Sequence, residues 1–561
     1  MNYLIYVLLR RLRAPLIVLI CVYAISILGF VLIPGIDDQG RPWQMDFFHA
    51  FYFVSFMGTT IGFGEIPYPF TDAQRMWALV AIYATVIAWL YAIGAMLGVI
   101  QEPAFRKLIK QSVFKRGVNR LTEPFYLVCG YGDTGSILVK ALANAGIRSV
   151  VVDIDEQRIN ALELEDMGLE VPGFCANAAD PDVLIEAGLN KRHCVGIATL
   201  TNDDQVNLSA SIAGTLLNPG LRVIARAETP ETEDNIASLG DAEIINPFET
   251  FAGRMALALH SPGMYLLFEW LTGIPHERLK EPLYLPHGTW ILCGYGRFGK
   301  AVYKRLMSEG LKVRVIEADF EGTQPPEDAV FGTGTDAATL TQAGIENVAG
   351  IVAGTDNDAN NLSIIITARA LNSKLFCVAR QNQRLNNKLF KAAKLDLVMK
   401  RGSVIAHKIH ALITTPLLSR FLSMATGQTN EWANELISRI SGVIEDEAPH
   451  MWSINIDKST TPGVCAQLSA GEIIRLADLC HSPRLRSQHL PCVPLLLTRV
   501  KETILVPDDD TQLRLDDRIL FCGREVAERE MQWIGNNSDV LSYVRTGEEH
   551  PSTILGRLLN S

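Results

Sequence analysis

Metal-binding and redox signatures are what this chain of 561 residues most plainly lacks. Its ten cysteines are scattered with no Cys-x-x-Cys pair, and its histidines form no cluster at ligand spacing, which argues against a zinc site or a dithiol centre. Cys129, Cys293, Cys377 and Cys522 lie inside apolar, strand-like runs, where a reduced thiol serves as a small core residue in a cytosol. Charge is also missing, but only locally. No Asp, Glu, Lys or Arg occurs from Ala14 to Ile36 or from Met76 to Gln101, and the mean hydropathy of +0.16 owes its height to the first hundred residues. The apolar runs Ala14 to Ile33 and Met76 to Ile100 are each long enough to cross a hydrocarbon layer of about 30 Å. A signal peptide would want a small-x-small cleavage pattern, which Leu32-Ile33-Pro34-Gly35 does not offer. Arg10, Arg11 and Arg13 precede the first run, and Arg106, Lys107, Lys110, Lys115, Arg116 and Arg120 follow the second, so both termini are expected in the cytosol. Up to Glu123 the chain carries 11 basic and 7 acidic residues; the remainder carries 40 and 54. An acidic soluble part of that kind excludes nucleic acid as its partner.

Between the two spans, Asp46 to Met57 is aromatic and too short to cross, which suits a re-entrant helix. It leads into Thr59-Thr60-Ile61-Gly62-Phe63-Gly64-Glu65. Glycine at every second position lets four copies of such a strand aim backbone carbonyls at a common axis, where they replace the water of a dehydrated cation. The dipole of the preceding helix favours a cation at its C-terminal end. Thr60, Ile61, Gly62, Phe63, Gly64 and Glu65 resemble the potassium-channel signature Thr-Val-Gly-Tyr-Gly-Asp. The resemblance implies a selectivity filter, K+ as the permeant ion, and a homotetramer, because one chain supplies one loop of four. There are departures. Where many members place a carboxylate four residues before Thr60, this chain has Phe56; the bracing tryptophans are replaced by Tyr52 and Phe53, and Phe63 lacks a hydroxyl. The filter is therefore expected to be held by packing more than by hydrogen bonds. Ala84-Thr85-Val86-Ile87 lacks the family's hinge glycine, leaving Gly94 and Gly98 either as a gating hinge nearer the cytosol or as sites of close helix packing.

A basic segment follows, and then the chain repeats itself. Phe125 to Gly135 returns as Thr289 to Gly299, each a strand, a Gly-x-Gly-x-x-Gly turn (Gly130, Gly132, Gly135; Gly294, Gly296, Gly299) and the start of a helix. An acid ends the next strand of each copy, Asp153 or Glu317, 18 residues after the last glycine. Two fingerprints in register, each with an acid at about the expected distance, indicate paired nucleotide-type α/β units. Asn177, Thr201 with Asn207, and Arg226 have counterparts near Thr333, at Thr355 with Asn361, and at Arg380. This order of motifs resembles the RCK domain, the regulator of potassium conductance of TrkA-N type, from Tyr126 onward. The resemblance implies helix exchange between paired lobes through the crossovers at Thr250 to Thr272 and Ser403 to Ile440, and a β-rich C-lobe ending near Gly523.

The expected fold is a membrane α-helical pore of two transmembrane helices with a re-entrant pore loop, followed by two Rossmann-like RCK lobes and a small β-rich C-lobe. The expected boundaries are a pore domain at 1–100, a linker at 101–123, a first RCK domain at 124–285, a second N-lobe with crossovers at 286–440, a C-lobe at 441–535 and a tail at 536–561. The glycine turns and Asp153 or Glu317 suit the phosphates and ribose of NAD(H), ADP or ATP. Asp133, inside the first turn, repels extra phosphate and Arg297, at the same place in the second, attracts it, which favours the second lobe as the nucleotide site. Ca2+ is a further ligand of the family, but Arg226 replaces one acid of its usual site. The expectation is a ligand-gated, multi-pass potassium channel of the inner (plasma) membrane with cytoplasmic RCK domains, not an enzyme. Two rivals are a membrane-anchored NAD-dependent oxidoreductase, for which no substrate domain or acid/base pair is evident, and a regulatory subunit of a potassium transporter, which would not need Thr60 to Glu65.

Overall fold

The computed structural model describes residues 2–273, 278–279, 281–445, 447–500 and 502–548, without the side chains of 2–11, 104, 401 and 404. Residues 549–561 of the expected tail lie outside it, as do the side chains of Arg10 and Arg11. The chain forms two compact units, Met1–Arg120 and Leu121–Ser561.

In the first unit two long helices, α1 (Asn2–Leu32) and α3 (Asp72–Gln101), pack along each other, with the shorter α2 (Phe47–Gly58) wedged against both. Leu12–Leu32 and Asp72–Gln101 are long and apolar enough to span a membrane. Close approach is specified by small residues. A Cβ on Gly29 would lie 2.0 Å from the Trp77 ring, and one on Gly58 would lie 2.4 Å from the Tyr23 hydroxyl. Trp77 Nε1 donates to Ser26 O (3.0 Å) and Trp89 Nε1 to Tyr23 Oη (2.6 Å), so these half-buried indoles are paired as well as packed. Asp46 caps α2 through His49 N–H, and Thr71 with Gln74 forms a capping box on α3. Glu102 is extended, as a residue before proline prefers, and ends α3 just before the basic α4 (Pro103–Arg120).

The second unit holds two six-stranded parallel sheets and one antiparallel sheet. The first lobe comprises β1 (Phe125–Cys129), β2 (Arg148–Asp153), β3 (Gly173–Cys175), β4 (Cys194–Thr199), β5 (Arg222–Arg226) and β6 (Glu243–Ile245), ordered β3-β2-β1-β4-β5-β6. The second repeats that order with β7 (Thr289–Cys293), β8 (Lys312–Glu317), β9 (Val330–Phe331), β10 (Gly350–Ala353), β11 (Phe376–Gln381) and β12 (Leu397–Lys400). The central strands β1, β7 and β10 are almost wholly buried apolar runs, as in parallel sheets covered on both faces, and the reversal between β1 and β4, or β7 and β10, leaves a crevice at their carboxyl ends.

The helices after each lobe do not pack on the lobe they leave. α6 (Pro247–His260) puts Phe248, Phe251, Met255 and Leu259 against Phe298, Val302 and Leu306 of α8 (Arg297–Ser308) in the second lobe. Conversely, α9 (Arg401–Thr414) puts Ile405, Ile409 and Leu412 against Leu138 and Leu142 of α5 (Asp133–Asn144) in the first. The helix exchange implied by the family resemblance thus takes place between the two lobes of one chain. Beyond the exchange, α7 (Pro262–Leu271), α10 (Pro416–Ala425) and α11 (Asn430–Ser441) cover one face of the antiparallel sheet of β13 (His450–Asn455), β14 (Cys492–Thr498), β15 (Thr503–Leu505) and β16 (Arg518–Gly523). The strand period sorts the two faces: Leu520 and Cys522 meet those helices, while Ile519 and Phe521 meet α12 (Glu525–Asn536) and its neighbours. α13 (Ser538–Thr546) follows and buries Leu541 and Val544 in the same core.

Candidate functional site

The loop after α2 has an unusual backbone. Thr60, Gly62 and Gly64 have φ of +62°, +67° and +71°, whereas Ile61 and Phe63 between them do not. In a strand of uniform φ successive carbonyls face opposite sides; reversing the sign at every second residue turns alternate peptides over and gathers the carbonyls on one side. Glycine adopts this freely, while Thr60 bears a steric cost on the order of 1 kcal/mol. The N–H groups run back into the helix: Thr60 donates to Met57 O (3.1 Å), Ile61 to Phe56 O (3.1 Å) and Gly62 to Phe56 O (3.4 Å). Among the described residues no donor takes the carbonyls of 60–64. Phe56 stacks edge-on to Tyr52 and Phe63. The expected dominance of packing meets one exception, because Tyr52 Oη donates to Glu65 Oε2 (3.2 Å) and replaces the missing carboxylate pair with a phenol–carboxylate bond. Gly94 and Gly98 lie within the unbroken α3, and a Cβ on either would meet nothing within 4 Å, so no neighbour inside the chain demands glycine there.

The two glycine turns are built alike. Gly130 and Gly294 are left-handed (φ +102° and +95°), and a Cβ on Gly135 or Gly299 would lie 1.9 or 2.0 Å from the carbonyl oxygen of Gly130 or Gly294. Helix and strand therefore meet at a distance that only glycine allows. The acid of each copy anchors its own turn: Asp153 accepts from Tyr131 N–H (2.5 Å) and Asp155 N–H (2.8 Å), while Glu317 accepts from the N–H groups of Tyr295, Ala318 and Asp319. Both carboxylates are almost fully buried, which the ribose role expected of them did not foresee. Asn177 is exposed in the loop after β3 and its Oδ1 accepts from Ala179 N–H (2.9 Å). Asn207 and Asn361 are also structural. Each accepts from the backbone and hydroxyl of Thr201 or Thr355 and donates to the carbonyl of Arg226 or Arg380, tying two neighbouring strand ends together. All ten cysteines are free thiols, and among the described residues no group of three His, Cys, Asp or Glu is placed to hold a metal ion, so the Ca2+ alternative finds no support.

Residues 126–247 and 290–400 match the model of the TrkA-N domain, and residues 17–102 match that of an ion channel. The chain joins an ion-channel domain to two TrkA-N domains. Potassium channel protein 1 of Methanocaldococcus jannaschii is 28% identical over 214 residues, covering 38% of this chain and 62% of that protein. Probable potassium channel protein 2 of the same organism is 25% identical over 241 residues, covering 43% and 69%. The match thus spans about three fifths of the length of the first of these relatives. Among solved structures, the GsuK channel bound to NAD covers 95% of this chain and 99% of its own at 16% identity, with a TM-score of 0.45.

The TrkA-N domains differ at their turns. In the first, the Arg158 guanidinium lies 3.5 Å from Asp153 and within 3.4 Å of a Cβ placed on Gly132, roofing the middle glycine with a cation. Its counterpart in the second domain is Gly322, and a Cβ on Gly296 would meet nothing within 4 Å. Each turn also feels the other domain. The charge of Arg384 reaches Tyr131 and Glu165 of the first; Glu165 is held below its usual carboxylate range mainly by Lys140 (2.7 Å), while burial pushes the Tyr131 phenol up. In the second, Arg297 pairs with Glu228 of the first domain (3.0 Å) and lies over the Phe248 ring (5.8 Å). Glu228 is also bonded to Arg226, and Arg380, which also lies over the Phe248 ring (5.0 Å), has its pKa lowered by burial despite its bond to Asp356 (2.6 Å). Sequence reasoning missed Arg158 and Glu228. Setting the two copies side by side would have flagged both, since Arg158 stands opposite Gly322 and Glu228 opposite Asn382.

Proposed function

We propose that four copies of this chain form a potassium-selective channel in the plasma membrane, with both termini and the TrkA-N domains in the cytosol. The alternation of φ through Thr60, Gly62 and Gly64 carries the reading, because it presents a one-sided row of free carbonyls at the C-terminal end of a short helix. Thr60 to Glu65 are the filter. One chain supplies one row, and a ring that replaces an ion's hydration on all sides needs several. On gating α3 would bend at Gly94 and Gly98, where glycine weakens the helix, and the basic α4 would transmit the force to it.

The two glycine turns take an adenine nucleotide or NAD(H). Gly130, Gly132 and Gly135, with Arg158 above them, and Gly294, Gly296 and Gly299, beside Arg297, each put a helix N-terminus where a pyrophosphate would sit. Asp153, Glu317 and Asn177 border the ribose end. Such a ligand gates the pore only if it binds the open and closed rings with different affinity. No catalytic step belongs to this reading. Flux of Rb+, K+ and Na+ into proteoliposomes tests it: Rb+ and K+ should enter, Na+ should not, and ADP, ATP or NAD(H) should change the rate. Vesicles that stay impermeable under every one of these ligands would overturn it.

A further inference from the structure

Arg297 is the first residue of α8 and sits within the second glycine turn, directly after Gly296. In a resting turn a guanidinium there would be expected to point into the phosphate space. Instead it reaches across to the other TrkA-N domain and shares Glu228, whose side chain is 3% exposed, with Arg226. The Arg297 side chain itself is 56% exposed, so it is free to leave without opening a cavity. Glu228 loses little when it does, because Arg226, with its own side chain 3% exposed, stays on the other oxygen and Asp204 continues to hold the Glu228 backbone N–H (3.0 Å). A phosphate at the turn offers Arg297 a partner with more charge and a geometry matched to the guanidinium fork.

We propose that Arg297 is an exchangeable latch between the two domains: with the second cleft empty it binds Glu228, and a phosphate-bearing ligand at that cleft draws it away. The inference rests on the nucleotide reading of the second turn. Its consequence is that occupancy of one cleft is felt as a broken ion pair at the domain–domain contact. By linkage, whatever holds Arg297 on Glu228 weakens the ligand, and the ligand weakens the latch by the same factor. The first domain cannot do this, because its residue at that position is Asp133.

The test is calorimetric titration of ADP into the full chain in detergent, with Gly132→Val to silence the first turn. Glu228→Gln removes the competitor and should tighten ADP by about three- to ten-fold, the range set by a partly exposed ion pair. Arg297→Ala should weaken ADP, and on that background Glu228→Gln should change affinity by less than about two-fold. Because Gln leaves Arg226 without a charge partner, Glu228→Asp is the second variant; it keeps the charge but shortens the reach toward Arg297, and should tighten ADP in the same direction. Unchanged or weaker binding in both Glu228 variants overturns the latch, as does an equal gain without Arg297. A Gly132→Val parent that binds no ADP overturns the nucleotide reading of the second cleft and the latch with it, and that failure shows before any change is made at Glu228.

Discussion

Truncating Ile409 should loosen the first TrkA-N domain, although the residue follows the second in sequence. Ile409 is fully buried and packs with Leu138 and Leu142 of the first domain through α9. Ile409→Ala removes three carbons, worth about 2.4 kcal/mol at about 0.8 kcal/mol per buried methylene, and the cavity left behind adds to this, within the usual range of about 2–5 kcal/mol for such truncations. At about 3 kcal/mol the opening equilibrium of that region rises by roughly two powers of ten. Hydrogen exchange followed by mass spectrometry on the full chain in detergent reads this peptide by peptide. Peptides from 125–143 should lose protection by about that factor while those from 289–306 keep theirs. The reciprocal change, Phe251→Ala in α6, should do the opposite, because Phe251 packs 5.7 Å from Phe298 of the second domain. If each truncation instead loosens the domain it follows, or both loosen equally, the exchange of helices within one chain is wrong.

Tyr52→Phe removes the hydroxyl that reaches Glu65, a bond worth about 1 kcal/mol, and should lower the K+/Na+ permeability ratio by about five-fold in bi-ionic recordings; an unchanged ratio would show that packing alone holds the loop. Gly299→Ala places a Cβ 2.0 Å from a backbone oxygen that cannot step aside, so it should lower Tm and abolish ADP binding at the second turn, whereas Gly296→Ala, with nothing within 4 Å, should leave Tm unchanged. His410, buried on α9, has its pKa lowered below 6.5 by burial, so the folded state binds its proton less readily than the unfolded one. The stability is fully present above the unfolded value of 6.5 and is lost as pH falls from there through the lower folded value; Tm measured from pH 7.5 to 5 should fall less steeply in His410→Gln.

What the sequence shows well is local chemistry. Two charge-free runs read as spans because a bilayer tolerates little else, and two glycine fingerprints with acids in register read as Rossmann-like lobes because each glycine has a separate steric duty. What it hides is non-local. The periodicity of α6 and α9 reveals an apolar stripe on each helix but not which lobe will cover it, and only the fold shows Phe251 on Phe298 and Ile409 on Leu138. The same holds for Arg297. Its position in the turn is legible, but its partner lies 69 positions earlier in the other domain, and an arginine read in isolation looks like a phosphate ligand. Tyr52 was visible as a replacement for a bracing tryptophan, while its bond to Glu65 depends on how the loop turns back after Thr59.

Fusing the two domains in one chain has a physical consequence that their near-repetition obscures. In a dimer of identical lobes every residue at the contact is dictated twice, so a pair that suits one glycine turn must also suit the other. Here the two exchanged helices enter at corresponding residues, Phe248 in α6 and Gly402 in α9, and each meets the fourth position of the opposite turn. Phe248 faces Arg297 and Phe298, with its ring under the guanidinium. Gly402 faces Asp133, so closely that a Cβ on it would lie 2.9 Å from the Asp133 Cβ and 3.2 Å from Thr134 N. Swapping partners fails on both sides, because a phenylalanine at 402 would collide with the first turn and a glycine at 248 would strip the apolar cover from Arg297 and Arg380. The large pair and the small pair are therefore alternative solutions of one packing problem, each usable only once. That asymmetry lets one cleft carry a cation tied to the neighbouring domain, while the other carries Asp133 in its turn and Arg158 over its middle glycine, so one ligand acting on both clefts would move them differently.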